Sequence, residues 1–351
     1  MAAHERSSER ERSANTQLSR RAFVLRMAGL GGASLLASCG GQLVVPSPTP
    51  RLRRIGYLSG NATASAMNYA GPFRDQLRAL GYVEGRDIEI VFKIAESVAA
   101  RLPAMAAELV ALPVDVLIAE ASQAQNAARD ATKAIPIVLT LANDPVASGY
   151  VASLSHPGGN ITGVETLSAA LTGKRVEALK ETVAGLARIG IIWNANIPSM
   201  RTAVVKATED AARTLHVETQ VFDVHNPGEL DAAVESMARQ HLDGLVMLTG
   251  LSIIRDARQV PDLAAKYRLP QIFSDVEIVR AGGLMHFGAN YATIYQRAAV
   301  LVDKILKGAN PGDLPIEQPM QFDFIVNLTM AQRLGLEIPN NILRQATEVI
   351  P

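Results

Sequence analysis

The sequence has very little cysteine, since Cys39 is the single cysteine in 351 residues. One thiol excludes an internal disulfide framework and any zinc or iron–sulfur site that needs several cysteines. The six histidines are scattered and do not show the spacing of metal ligands. The sequence therefore predicts neither a metal site nor a cofactor.

An excess of charge is also missing, because 34 basic side chains balance 34 acidic ones. A face that binds nucleic acid needs a basic excess, so nucleic acid is not expected as a partner. After the first 40 residues or so, no apolar run reaches the roughly 18 residues of a candidate spanning helix. The body of the protein is therefore not expected to cross a bilayer.

Catalytic signature motifs are absent as well. No GxGxxG follows a predicted strand, and GxxxxGK[ST], GxSxG and HExxH do not occur. The sequence therefore predicts a protein that is not an enzyme. An exported α/β enzyme acting on a small metabolite stays open, because a nucleophile and a base that are distant in sequence can meet in the fold.

The N-terminal segment Ser19–Gly40, SRRAFVLRMAGLGGASLLASCG, has the features of an export signal. Arg20 and Arg21 precede a weakly apolar stretch, Ala22–Ala37, that is shorter than the roughly 20 residues of a spanning helix. The arginine pair resembles a twin-arginine signal, and general secretory export is the alternative route. We therefore expect residues 1–39 to direct export and to be removed.

Cys39 lies at the end of this signal, in a segment that resembles a bacterial lipobox, Leu36-Ala37-Ser38-Cys39. In a lipobox, cleavage leaves the cysteine as a lipid-bearing N-terminus. Residues 40–53, which begin GGQLVVPSPTP, have the proline spacing of an extended tether. The mature protein is thus expected to be a monomer on the outer, periplasmic or cell-surface, side, held at the membrane by its N-terminal lipid.

From Arg54 onward, apolar strand-like runs alternate with amphipathic helical stretches. The predicted strands are Ile55–Ser59, Ile88–Lys93, Val114–Ala119 and Ile137–Leu141, and the predicted helices are Pro72–Leu80, Ser97–Leu112 and Ser122–Lys133. Continuous apolar strands separated by helices indicate a parallel sheet covered on both faces.

The same alternation starts again after Asn160, with the joint near the segment 161–168, ITGVETLS. The predicted helices are Leu171–Val183, Ser199–Leu215, Pro227–His241 and Ile253–Tyr267, and the predicted strands are Arg188–Trp193, Val217–Val224, Gly244–Leu248 and Gln271–Ser274. The sequence therefore predicts an α/β protein with two Rossmann-like lobes, each built on a parallel sheet, joined by a hinge.

The C-terminal part has too few elements for a third domain, namely the segment Gly283–Gly288, a helix over Tyr291–Lys307 and a strand over Phe322–Asn327. These elements are expected to cross the joint and complete both lobes. The predicted first lobe is 54–165 plus about 286–319, and the second is 166–285 plus about 320–351.

Small polar residues follow the strands of the first lobe at their carboxyl ends. Ligands bind open α/β sheets in the crevice outside these ends, so the residues there are candidates for ligand contact. They are Ser59, Asn61, Glu120, Ser122, Asn143 and Asp144. Ser122 also fits a helix cap, and Asp144 fits a cap before Pro145, so structural and ligand-binding roles both stay open.

The second lobe has the same kind of residues at its strand ends, and Thr166 lies at the crossover. The candidates are Thr166, Asn194, Asn196, Thr249, Ser274 and Asp275. A site lined mainly by small, uncharged polar side chains suits a neutral or zwitterionic small molecule.

Three segments resemble one family: Ala134–Val164, Leu171–Glu181 and Ala281–Ile350, of which Leu314–Leu336 is the most specific part. The family is that of the ABC transporter substrate-binding proteins with the type I periplasmic binding protein fold, in the branch of the tryptophan- and tyrosine-associated proteins. The resemblance implies a two-lobed trap that closes on a small polar metabolite, such as an amino acid, and delivers it to a membrane permease.

Two positions depart from the family pattern. His156 stands where the family has an arginine before Pro157-Gly158-Gly159-Asn160, and His286-Phe287 stands where it has a serine–tyrosine pair. Because the second change lies near the predicted cleft, the ligand is not carried over from the family. A ligand sensor that docks on a membrane signalling protein would use the same cleft and stays open as an alternative.

Overall fold

The computed structural model describes residues 51–196, 201–248 and 257–351. Cys39 and the rest of the predicted export signal lie outside these residues, as does the candidate Thr249. Within the described part, strands and helices alternate along most of the chain.

The first lobe is built on a five-stranded sheet. Its elements are β1 (Arg53–Ser59), α1 (Thr63–Ala79), β2 (Ile88–Ile94), α2 (Leu102–Ala111), β3 (Val116–Glu120), α3 (Ala121–Ala131), β4 (Ile137–Ala142) and β5 (Ile161–Glu165). The strands pair in parallel in the order β2-β1-β3-β4-β5, which places all their carboxyl ends at one edge.

Gly163 allows β5 to pair closely with β4. Its φ angle is 155°, and a Cβ atom at this position would lie 2.5 Å from the carbonyl oxygen of Leu139. Only glycine fits such an approach. The segment at the predicted joint is thus an edge strand of the first sheet, and the chain leaves the lobe after Glu165.

The second lobe is built on a seven-stranded sheet. Its elements are α4 (Thr172–Thr182), β6 (Arg188–Asn194), α5 (Arg201–Thr214), β7 (Glu218–Val224), α6 (Pro227–Arg239), β8 (Gly244–Met247), α7 (Gln259–Tyr267), β9 (Gln271–Phe273), α8 (Val276–Arg280), β10 (Met285–Ala289), β11 (Phe322–Asn327), α10 (Leu328–Leu334), α11 (Asn340–Gln345) and β12 (Glu348–Ile350). The strand order is β12-β11-β10-β9-β8-β6-β7.

Between β10 and β11 the chain crosses into the first lobe and returns. Helix α9 (Tyr291–Leu306) packs there against α1, and its buried residues Tyr295 and Val302 share a core with Ile55 and Tyr57 of β1. Because β10 pairs with β9 and β11, the crossing follows Ala289, a few residues later than the boundary at about 286 expected from the sequence.

The described strands pair in parallel, as expected from the sequence, except at one pair, where β11 runs antiparallel to β10. The chain leaves β10 at Ala289, crosses to the first lobe and returns at Phe322, which pairs with Ala289. A strand that starts at the edge where its neighbour ended must run the opposite way.

The start of helix α1 and four short elements also differ from the sequence prediction. Helix α1 begins at Thr63 and contains Pro72 in its interior, whereas the prediction used Pro72 as the first helical residue. The short helices α8, α10 and α11 and the strand β12 were not predicted, since each spans seven residues or fewer. The periodicity of apolar residues is a weak signal in segments of seven residues or fewer.

In the described ranges, no helix combines the length and the apolar character that crossing a membrane requires.

Candidate functional site

A cavity of about 140 Å³ lies where the carboxyl ends of the two sheets meet. For comparison, an engineered apolar cavity of about 150 Å³ admits benzene. The first lobe and its α1 line it with Gly60, Asn61, Tyr69, Ser97, Glu120, Ala121, Ser122, Gln123, Leu141 and Asn143. The crossings and the second lobe add Thr166, Ser168, Arg175, Asn194, Leu248, Ser274, Asp275, Ala289 and Tyr291.

Most of the candidates chosen from the sequence come together in this cavity. They are Asn61, Glu120, Ser122, Asn143, Thr166, Asn194, Ser274 and Asp275. Parallel strands bring residues far apart in sequence to one edge, so the strand-end rule located them.

Three candidates do not line the cavity. Ser59 is fully buried, and its hydroxyl accepts a hydrogen bond from the backbone N–H of Asn61. The exposed Asn196 donates its side-chain amide to the carbonyl of His225, 2.8 Å away. Asp144 is exposed and accepts from the N–H of Ala147, so it caps a turn and not the helix expected after Pro145.

Glu120 ends β3 and is fully buried. Its carboxylate accepts hydrogen bonds from the Tyr57 hydroxyl at 3.0 Å and from the Asn61 side chain at 2.6 Å. Burial raises the pKa of the Glu120 carboxyl above its ordinary value, and the polar contacts from Ser59, Tyr57 and Asn61 oppose that rise. The first lobe thus presents an acidic group at the cavity wall.

Asp275 is the acidic residue that the second lobe contributes to the cavity, and it caps α8. Its carboxylate accepts from the backbone N–H of Glu277 at 3.0 Å. Burial raises the pKa of Asp275 to about 7; the hydrogen bond from Glu277 lowers it, while the charges of Glu277 and Glu120 raise it further. Two carboxyl groups therefore share the cavity, and each is held in a surrounding that disfavours its charge.

Arg175 supplies the opposite charge from α4. Its side chain is almost wholly buried, with Nε donating to the carbonyl of Phe287 at 2.8 Å and Nη1 to the carbonyl of Ser168 at 3.1 Å. Burial lowers the pKa of Arg175 to about 10. Among the described residues, no carboxylate lies within salt-bridge distance of this guanidinium.

Aromatic rings form part of the cavity wall. Tyr69 of α1 contacts Tyr291 edge to face, with centroids 5.5 Å apart, and stacks on Tyr295 at 5.6 Å. Tyr69 is 5% exposed, and in the described part of the chain its hydroxyl has no hydrogen-bond partner. The cavity therefore offers both an apolar ring face and a buried hydroxyl.

Neutral polar groups complete the wall. The Thr166 hydroxyl donates to the side-chain oxygen of Asn143 at 2.6 Å, and the Ser274 hydroxyl donates to the carbonyl of Leu248 at 2.6 Å. These bonds fix the side chains in place, so the cavity is largely preformed.

The backbone at the cavity adopts unusual conformations. Ser97, Ala121 and Leu141 have positive φ angles of 59°, 62° and 53°. Residues with side chains seldom adopt this region, and such strain concentrates at ligand sites. Since α3 already begins at Ala121, Ser122 lies inside the helix and is not its cap, which corrects the expectation for this residue.

His286 lies close to the site but does not line the cavity. It is fully buried in β10, and its Nδ1 lies 3.2 Å from the carbonyl of Phe273. Burial lowers the pKa of His286 to about 3. The histidine is therefore neutral at physiological pH and packs under the cavity.

The lobes touch each other beside the cavity. The side-chain amide of Asn68 in α1 donates to the Glu277 carboxylate of α8 at 3.3 Å. This contact between lobes belongs to an arrangement in which the cleft is closed.

Among the lining residues that the sequence prediction missed, three have a charged or aromatic side chain: Arg175, Tyr69 and Tyr291. All three lie in helices or at a helix start, away from the strand ends that the prediction examined. The sequence around Arg175 gave no signal, because only the fold shows that this cation is buried.

Chemically, the cavity combines two buried carboxyl groups, one buried cation, ring faces and hydroxyl groups. This set can hold a small molecule that carries both an ammonium and a carboxylate group. In residues 51–196, 201–248 and 257–351 no cluster of three or more histidine, cysteine or acidic residues could hold a metal ion.

A family model described as ABC transporter substrate binding protein matches residues 58–350. Among characterised proteins, the chain is similar to a tyrosine-binding protein of Clostridioides difficile strain R20291. The two are 27% identical over 265 residues, which cover 76% of each chain.

Two solved structures show the same fold. The ABC domain in complex with L-Trp from Streptococcus pneumonia has a TM-score of 0.79 at 24% identity and covers 85% of this chain and 100% of its own. The ligand-free, open structure of a substrate binding protein with adhesive properties from Clostridium difficile has a TM-score of 0.66 at 25% identity, over 85% and 99%. The predicted two-lobed fold of the type I periplasmic binding proteins is confirmed.

Proposed function

The chain belongs to the family of ABC transporter substrate-binding proteins, as the sequence predicted, and we propose that it binds an α-amino acid with an aromatic side chain in the closed cavity. Its role is to capture this ligand outside the cytoplasm and to deliver it to a permease. The enclosed combination of Glu120, Asp275 and Arg175 carries the proposal.

The charges in the cavity fit the two ends of a zwitterion. An ammonium group between Glu120 and Asp275 would relieve the repulsion of two carboxylates and donate hydrogen bonds to both in a site shielded from water. A carboxylate at Arg175 would neutralise a buried guanidinium that has no acidic partner among the described residues. A neutral sugar has neither an ammonium group for the two carboxylates nor a carboxylate for Arg175.

The side chain of the ligand is assigned to the aromatic wall. Tyr69 and Tyr291 offer ring faces to a ligand ring, and aromatic pairs add about 0.5–1.5 kcal/mol beyond the area they bury. The buried Tyr69 hydroxyl provides a partner for a polar atom on that ring. The likeness to a tyrosine-binding protein at 27% identity supports an aromatic amino acid.

Delivery and anchoring are part of the same proposal. Binding proteins of ABC importers work on the outer side of the cytoplasmic membrane, where the export signal would send this chain. Lipidation at Cys39 would hold the mature monomer beside its permease through a tether of residues 40–53. A single lipid chain binds membranes only weakly, so a doubly or triply acylated cysteine would be needed for stable anchoring.

Two other functions would use the same cavity. A ligand sensor would dock on a membrane signalling protein, and it would require no permease encoded beside its gene. An exported enzyme would turn its ligand over. Because residues 58–350 match a family of binding proteins, we propose a binding protein.

Native mass spectrometry of residues 40–351, purified from cells without refolding, tests the proposal. The account predicts an added mass equal to that of an aromatic amino acid, released unchanged on denaturation. An added sugar, or a chemically altered product of an amino acid, would overturn it.

A further inference from the structure

Arg175 occupies a special place, because it contacts both the cavity and the segments that join the lobes. The first crossing is the segment 166–171 between β5 and α4, and the second is Asn290, between β10 and α9. The chain crosses a third time before β11. Arg175 projects from α4 of the second lobe and lines the cavity next to Ser168 and Tyr291.

The hydrogen bonds of Arg175 reach the first crossing and the strand that leads into the second. Nη1 donates to the carbonyl of Ser168, which lies in the first crossing, at 3.1 Å. Nε donates to the carbonyl of Phe287 in β10, three residues before Asn290, at 2.8 Å. One guanidinium therefore ties the first crossing to the strand from which the second crossing starts.

The same guanidinium has unused hydrogen-bonding capacity. A guanidinium carries five N–H groups, and two of them serve the carbonyls of Ser168 and Phe287. Both acceptors are neutral, so the positive charge is solvated by backbone dipoles without an acidic partner in the described ranges. The remaining N–H groups belong to a residue that lines the cavity.

We propose that Arg175 couples ligand binding to hinge closure: the ligand's carboxylate binds its remaining N–H groups, and the guanidinium thereby holds the first crossing against β10, the strand that leads into the second. This inference rests on the proposed function, because it assumes a ligand with a carboxylate. It adds that the carboxylate is the group that closes the hinge.

The planar guanidinium explains why arginine is needed. It holds its N–H groups in a fixed fork, so a carboxylate bound on one side sets the orientation toward Ser168 and Phe287 on the other. A lysine ammonium is a point charge on a flexible stem and would bind the carboxylate without fixing both carbonyls. Arg175→Lys should therefore impair closure of the lobes more than it weakens the attraction of the ligand's carboxylate.

Hydrogen exchange on the wild-type protein tests the coupling without any substitution. The probes are L-tyrosine and tyramine, which differ only in the carboxylate. At saturation, L-tyrosine is expected to slow exchange in both crossings, including the N–H of Thr166 bonded to Ala142 and that of Asn290 bonded to Gln321. Tyramine at saturation is expected to leave exchange in both crossings as in the free protein.

Variants of Arg175 give the second arm. Arg175→Gln is expected to raise the Kd for L-tyrosine about 10- to 150-fold, the range for losing a hydrogen bond to a charged group, and to abolish the slowed exchange at saturation. Arg175→Lys is expected to recover part of the affinity but not the slowed exchange. The matched control is Lys180→Gln on the same helix, which removes a cationic bond to the carbonyl of Leu215 away from the cavity and should behave as wild type.

The outcomes separate the inference from the proposed function. Equal slowing of exchange by tyramine and L-tyrosine would overturn the coupling while leaving amino-acid binding intact. Full slowing at saturation in Arg175→Gln would do the same, and the tyramine comparison decides if that variant fails to fold. Failure of every standard amino acid to bind the wild-type protein would overturn both.

Discussion

Glu120 of the first lobe and Asp275 of the second lobe line the same cavity, and the charge of Glu120 adds to the burial that raises the pKa of Asp275. A closed, ligand-free cavity therefore holds two acidic groups that disfavour being ionised together. A ligand ammonium removes this conflict. The pair links closure of the lobes to the charge of the ligand.

The stability of the ligand-free protein is expected to depend on pH through Asp275. Its folded-state pKa of about 7 lies above the ordinary value of 3.8. The stabilising contribution of its proton is fully present below pH 3.8 and is lost as the pH rises through about 7. The melting temperature of Asp275→Asn should therefore exceed that of wild type at pH 8, and the gap should shrink toward pH 5.

The comparison with Asp275→Asn is needed because His286 titrates in the opposite sense. Burial lowers its pKa to about 3, so the neutral histidine costs stability as the pH falls below its ordinary value of 6.5. This contribution is common to both proteins and cancels in the difference. A gap in melting temperature that stays constant from pH 8 to pH 5 would show that Asp275 is not buried with a raised pKa.

Removing either acidic charge should weaken amino-acid binding. Glu120→Gln and Asp275→Asn keep the shape of the side chain but lose a charged partner of the ammonium group. A hydrogen bond to a charged group contributes about 1.5–3 kcal/mol, so the Kd should rise about 10- to 150-fold in each variant. Titration calorimetry measures this, with Glu209→Gln, a partly exposed residue on α5 that does not line the cavity, as control. Unchanged affinity in both variants would place the ammonium elsewhere.

The contact of Asn68 with Glu277 is expected to stabilise the closed arrangement without touching the ligand. Because Asn68 is exposed, the hydrogen bond contributes little, and Asn68→Ala should raise the Kd about two- to threefold. The effect should fall on the dissociation rate, since the closed lobes would reopen faster. Stopped-flow measurement of association and dissociation distinguishes this from a change confined to the association rate, which the account does not predict.

Membrane attachment is expected to depend on Cys39. In cells, Cys39→Ser should move the protein from the membrane fraction to the soluble fraction, because the lipid can no longer be attached. Ligand affinity of the purified variant should equal that of wild type. A Cys39→Ser protein that stays in the membrane fraction would count against lipidation at this residue.

The sequence predicted residues that line the cavity where the fold itself brings them together. Glu120, Asn194 and Asp275 follow strands of different sheets, and the carboxyl ends of parallel strands meet at one edge whatever the details of packing. Asn196 failed the same rule, because it lies two residues after its strand and its amide is used by the carbonyl of His225. A local hydrogen bond of this kind has no signature in the sequence.

Arg175 could not be found from its neighbours in the chain. Lys174 and Arg175 are adjacent basic residues on a predicted helix, and only the return of the chain past Ser168 and Phe287 buries one of them. Lys174 instead forms an exposed ion pair with Glu177. The antiparallel pairing of β11 likewise depends on where the chain returns from α9, a property of the whole topology.

The most direct test of the central claim is titration calorimetry of the ligand-free protein with three related compounds: L-tyrosine, tyramine and 3-(4-hydroxyphenyl)propionate. The account predicts that L-tyrosine binds with a Kd at least about tenfold lower than either analogue, because each analogue leaves one buried charge without its partner. Equal affinity for L-tyrosine and both analogues would show that the ammonium and the carboxylate are not recognised, and would contradict the account.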